Sequence, residues 1–148
     1  MKKALIILLA AALVFTAVSC KSNAAKADKA EGIALNGSYQ NYKYSIRTKG
    51  PELDFTIEGN PTTGYQWVLL TEDDSFTLVS GNYKQNDAPE MMVGVGGNYK
   101  FVIDFLADGE HQLDFAYQRS WAPEDGPIHL SLKVTVKGSA ITDVSVVE

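Results

Sequence analysis

A single cysteine, Cys20, stands among the 148 residues. No disulfide can form within the chain, and any core must be held by packing alone. The same scarcity leaves a Cys/His nucleophilic pair without its thiol, because Cys20, directly after an export leader, is expected to be consumed by a lipid. Histidine is nearly as scarce: His111 and His129 each lie beside or within a strand pattern, with no HExxH or other metal-ligand spacing around them. No phosphate-cradling GxxxxGK[ST] motif occurs, and the acidic pairs Asp73-Asp74 and Glu124-Asp125 sit in turns, where carboxylates solvate the chain. Basic charge is also short, with 13 Lys and Arg against 18 Asp and Glu. Removing Lys2 and Lys3 with the leader moves the net charge from -5 to -7, which excludes the basic surface that nucleic acid requires. These absences describe a chain that is not an enzyme, with no metal, no cofactor and no nucleic-acid partner.

The first 19 residues read as an export signal. Lys2 and Lys3 form a basic start, Ala4 to Val18 is apolar apart from Thr16, and the stretch is too short for a comfortable membrane span. Ala17-Val18-Ser19 immediately before Cys20 resembles the lipobox of bacterial lipoproteins, with Ala17 in place of the usual leucine. That resemblance implies cleavage before Cys20, acylation of its thiol, and an exported protein anchored by lipid to the bacterial cell envelope. Residues 20–37 then form the lipidated cysteine and a tether. Lys21 to Asn36 is rich in Lys, Ala, Ser, Asp and Glu with little to bury, and extended it reaches about 55 Å.

Residues 38–148 carry the folded domain, and their hydrophobicity alternates with a period of two. Tyr42, Tyr44 and Ile46 alternate with Lys43, Ser45 and Arg47, while Leu53, Phe55 and Ile57 alternate with Asp54, Thr56 and Glu58. Further runs cover Trp67 to Leu70, Phe76 to Tyr83, Tyr99 to Phe105, Leu113 to Tyr117 and Ile128 to Val136. Turn signals such as Lys49-Gly50-Pro51, Ala107-Asp108-Gly109-Glu110 and Glu124-Asp125-Gly126-Pro127 separate several of them. The expected class is all-β, an immunoglobulin-like antiparallel β-sandwich of seven to eight strands. Phe55, Phe101, Ile103, Phe115 and Leu132 are the expected core, and Ala140 to Val147 is apolar enough to add an edge strand.

Three loops carry the functional signal. Asn60-Pro61-Thr62-Thr63-Gly64-Tyr65, with Trp67 two residues on, is tight and stiff: Pro61 sets its own φ, Gly64 permits a positive φ, and Asn60 can hydrogen-bond the backbone locally. Gly94-Val95-Gly96-Gly97 follows Val93 and precedes the strand opened by Tyr99. Arg119-Ser120-Trp121 follows the strand ending at Tyr117 and runs into loop composition, so Trp121 is expected at the surface. In a sandwich, loops joining strands two to three, four to five and six to seven emerge at one end.

Asn-Pro-Thr-Thr-Gly-Tyr-x-Trp resembles the signature loop of the chagasin family, protein inhibitors of papain-like cysteine proteases. The Gly-x-Gly-Gly loop and the Arg-x-Trp segment repeat the match, with Ser120 where the family usually has proline; the resemblance extends over about Tyr39 to Val136. It implies a reversible, tight-binding inhibitor, acting as a monomer without cofactor, whose loops 60–67, 93–97 and 119–121 occlude a protease cleft. Thr62 matches the residue closest to the catalytic thiol, Gly94 to Gly97 the backbone-pairing loop, and Trp121 the aromatic that packs on the enzyme's tryptophan. Val93 suits an apolar substrate pocket. A second reading uses the same loops in a lipid-anchored adhesion or ligand-binding module.

Overall fold

The computed structural model describes residues 32–89 and 92–147. The leader, Cys20 and most of the tether lie outside the described residues.

Among the described residues nine strands follow in chain order: β1 Ala34–Tyr39, β2 Tyr42–Lys49, β3 Glu52–Gly59, β4 Tyr65–Leu69, β5 Phe76–Gln85, β6 Gly97–Phe105, β7 Gly109–Arg119, β8 Ile128–Lys137 and β9 Ala140–Val147. They form two antiparallel sheets, ordered β1-β2-β3-β6-β5 and β4-β7-β8-β9. This is the immunoglobulin-like sandwich expected from the alternation. Period two places one face of each strand inward, and the five expected core residues are all buried. Phe115 of one sheet meets Phe55 and Phe101 of the other at ring-centroid distances of 4.9 and 5.0 Å. Each fully buried side chain of this size contributes about 1.5–3 kcal/mol relative to exposure, which is how two sheets hold without a disulfide.

Two corrections concern the margins. Strand β1 begins at Ala34, inside the stretch assigned by composition to the tether. Its residues are mostly exposed, so it carries no hydrophobic alternation and is held by pairing its backbone with β2, from Ala34 opposite Arg47 to Tyr39 opposite Tyr42. The C-terminal segment does add an edge strand, β9, as its apolar content led one to expect, and with β1 the count among the described residues is nine rather than seven to eight.

The sandwich has two distinct poles. At one, the β2–β3 and β8–β9 turns meet, with Ile141 N donating to Gly50 O at 2.8 Å. The Asp108 carboxylate, from the turn between β6 and β7, accepts from the backbone N–H groups of Gly138 and Ser139 there, at 2.6 and 2.9 Å. The β1–β2 turn lies at the other pole, and so do the connections β3–β4, β5–β6 and β7–β8, which contain the three loops.

Candidate functional site

The first loop is a 3-10 turn over Pro61–Thr63. Asn60 caps it: its Oδ1 accepts from Thr62 N at 3.1 Å and from Thr62 Oγ1 at 2.7 Å. Pro61 occupies the first position, where no N–H is needed, and Gly64 ends the turn in the left-handed region at φ 84° with its N–H donating to Pro61 O. Beneath the turn the Tyr117 hydroxyl brackets the Asn60 backbone, accepting from its N–H at 2.9 Å and donating to its carbonyl at 3.1 Å. Thr62 and Thr63 remain exposed on this braced frame, while Pro61 is half-buried.

Asn60 also reaches the second loop, its Nδ2 donating to Gly94 O at 2.9 Å. Val93 stands 94% exposed, and a Cβ on Gly94 would have nothing within 4 Å. Val95 and Gly96 are half-buried, with Gly96 O accepting from Asn86 N. Gly97 departs from the expected contact set. It is buried as the first residue of β6, paired with Gly59 on one side and Gln85 on the other, and a Cβ there would lie 2.2 Å from Lys84 O. Its lack of a side chain lets two backbones approach, so it supports the loop from below.

The third loop meets the first at Gly64, where an added Cβ would sit 2.6 Å from the Trp121 ring. Trp121 is 71% exposed, as its loop composition led one to expect. Arg119 turns inward: its guanidinium lies 4.6 Å from the centre of the Tyr65 ring, and Nη1 pairs with Asp125 Oδ2 at 2.9 Å. Tyr65 itself stacks on Tyr117 at 5.5 Å. Trp67 requires a second correction. Two residues after Tyr65 on β4 it faces the core at 2% exposure, and its indole N–H donates to Glu58 O at 2.9 Å, so it underpins the loop and offers no surface to a partner. The alternation that identified the strands places it inward.

Between these loops and the β1–β2 turn lies an open recess of ≈ 580 Å³, bordered by Asn41, Tyr42, Asn60, Tyr65, Gly96 and Tyr117 among others. Desolvation pushes the Tyr42 phenol above its ordinary value, with Tyr117 and Tyr65 adding to the effect. Among the described residues no group of three or more His, Cys, Asp or Glu side chains could hold a metal ion. Sequence reasoning missed two members of this site, the Tyr117 hydroxyl and Asp125. The first reads only as an inward strand residue and the second as turn solvation, and folding alone shows what each touches.

A sandwich presenting braced loops at one pole is a binding protein, offering shape, apolar side chains and backbone hydrogen bonds. More specifically, the chain belongs to the chagasin family of peptidase inhibitors: Chagasin family peptidase inhibitor I42 matches residues 48–136. The chain is thus of an inhibitor family and is not an enzyme. Amoebiasin-1 of Entamoeba histolytica is 33% identical over 89 residues, covering 60% of this chain and 85% of the relative. Chagasin of Trypanosoma cruzi is 29% identical over 92 residues, covering 59% and 79%. A solved cysteine protease inhibitor from Entamoeba histolytica superposes with a TM-score of 0.51 at 26% identity, covering 57% of this chain and 77% of that one. Strands β1 and β9 lie outside the family match.

Proposed function

We propose that this protein inhibits papain-like cysteine proteases reversibly, by seating the loop segments 60–65, 93–96 and 119–121 in the active-site cleft, with Trp67 and Gly97 supporting them from below. The observation that carries this reading is the coupling of the three family loops at one pole, through Asn60 to Gly94 and through Gly64 to Trp121. The kinship with a solved cysteine protease inhibitor supports the class of target. Thr62, exposed at the turn, stands over the catalytic thiol; Val93 enters an apolar pocket, Gly94 to Gly96 pair with the cleft edge, and Trp121 packs beyond the scissile position. Cleavage is avoided because the 3-10 turn curls Pro61–Thr63 out of the extended conformation of a substrate. The test is titration of papain with a form lacking residues 1–20, where an interface of about 1,600 Å² predicts tight inhibition. Full protease activity under a large excess of folded protein would eliminate the reading.

We also propose that the protein is anchored to the cell envelope through a lipid on Cys20. The course of β1 supports such a tether. The chain enters near Thr48, with Ile33 N donating to Thr48 Oγ1 at 2.8 Å, and β1 then runs to the loop pole. Entry directly into β2 would instead start at Tyr42, beside Asn60. The added strand displaces the attachment by about 20 Å, the length of its six residues, and leaves the loops facing away from it. Mass spectrometry of the exported protein should find a lipidated N-terminal Cys20, and an unmodified thiol there would refute the anchor.

A further inference from the structure

We infer that Asp125 is a positioning residue, which holds the loop carrying Trp121 ready for its target by closing two consecutive turns onto Arg119. This rests on the inhibitory reading above. Ala122 N donates to Arg119 O at 3.3 Å, which makes residues 119–122 one turn. Asp125 N donates to Ala122 O at 3.1 Å and makes residues 122–125 the next. The second turn has Pro123 at the position where proline pre-sets φ; the first has Ser120 there, with no such restriction. Besides its own backbone hydrogen bond, the first turn is held by a contact across the whole loop. The Asp125 carboxylate returns to Arg119 Nη1 at 2.9 Å, and the Arg119 guanidinium is seated on Tyr65, which belongs to the first loop's own strand. The Tyr65 hydroxyl donates back to Asp125 O at 3.4 Å. Trp121 lies inside this clasp yet stays largely exposed, so its orientation is set by the residues around it and not by burial.

The two side chains of the ion pair are 35% and 63% exposed, so the pair adds little to global stability and its effect falls on the order of the loop. An ordered loop spends less conformational entropy on docking and associates faster. Asp125 is also the one member of the clasp that lies outside the three loop motifs.

The experiment uses the chain from Lys21 onward, which retains every described residue, as wild type, Asp125→Asn, Ser120→Pro and the double variant. Amide order parameters for residues 120–126 are measured on the free protein, and association and dissociation rates are measured with papain. Asp125→Asn should lower the order parameters and slow association about fivefold, with the melting temperature nearly unchanged. Ser120→Pro should restore both in the Asp125→Asn background by a larger factor than it alters them in the wild type, since Arg119 is already in the extended conformation that a following proline requires. Unaltered order parameters in Asp125→Asn, or a Ser120→Pro effect of equal size in both backgrounds, would overturn the proposal. Loosening of the loop in a protein that leaves papain fully active would uphold the clasp and overturn the inhibitory reading instead.

Discussion

Loops 60–67 and 119–125 are braced to each other and to the core, whereas among the described residues the second loop, 93–97, has fewer ties to its neighbours at the same pole. In the first pair, Asn60 caps a turn, Tyr117 grips the Asn60 backbone, Arg119 sits on Tyr65, and Trp121 lies over Gly64. Against this, among the described residues the hydrogen bond from Asn60 Nδ2 to Gly94 O is the one that ties the second loop to the first. The contrast divides the labour of a wedge. Under the inhibitory reading proposed above, the braced part would fix where the protein enters a cleft, and the glycine-rich part would adapt its backbone to the wall it meets, with a larger ordering cost on binding.

The largest effect should come from Gly64→Ala, which attacks the braced pair at its joint. A side chain at φ 84° is strained, and the new Cβ collides with the Trp121 ring at 2.6 Å. Inhibition should weaken by about 3 kcal/mol, the sum of left-handed strain and a displaced loop, with a lower melting temperature. An inhibition constant equal to wild type would show that the contact between the two loops is dispensable.

Trp121→Ala should follow, weakening inhibition by about 2 kcal/mol through faster dissociation while the thermal melt holds. A melt far below wild type would assign the ring to the stability of the pole. Normal inhibition with an unchanged melt would show that it anchors nothing.

Asn60 joins the braced and the adaptable regions, and two variants separate its roles. Asn60→Ala removes both the cap and the tie to Gly94 and should cost about 1 kcal/mol in stability. Asn60→Asp keeps the cap acceptor but has no N–H for Gly94 O, so its stability should stay near wild type while association slows. Equal losses in both variants, measured by melts and association rates, would mean that the tie to the second loop carries the effect.

Val93→Ala should have the smallest consequence. At 94% exposure the side chain leaves the fold indifferent, within about 0.5 kcal/mol, so any change in inhibition reports contact with the protease alone. A melt shifted by several degrees would show that the second loop is braced after all.

The strands were legible because one face of each is buried: Leu53, Phe55 and Ile57, or Leu130, Leu132 and Val134, repeat every second residue and are inward in the fold. The loop motifs were legible because proline, glycine and a capping asparagine act on their own backbone, so Asn60-Pro61-Thr62-Thr63-Gly64 closes as its residue types demand. Trp67 and Gly97 were placed in the motif correctly and on the wrong side of it, since a motif records adjacency and the pleat decides direction. β1 was illegible because an exposed edge strand is specified by its partner's hydrogen bonds, to which side-chain pattern contributes little.

The sequence by itself determined the class of fold, the core, the stiffness of the first loop and the family, because periodicity, backbone restriction and short motifs are local properties. Tertiary structure alone decided that Tyr117 would hold Asn60, 57 residues earlier in the chain. It also decided that Asp125 would turn back to Arg119 and that β1 would bring the chain in at the pole away from the loops. These contacts depend on sheet order and register, and those emerge only when both sheets bury their inner faces against each other.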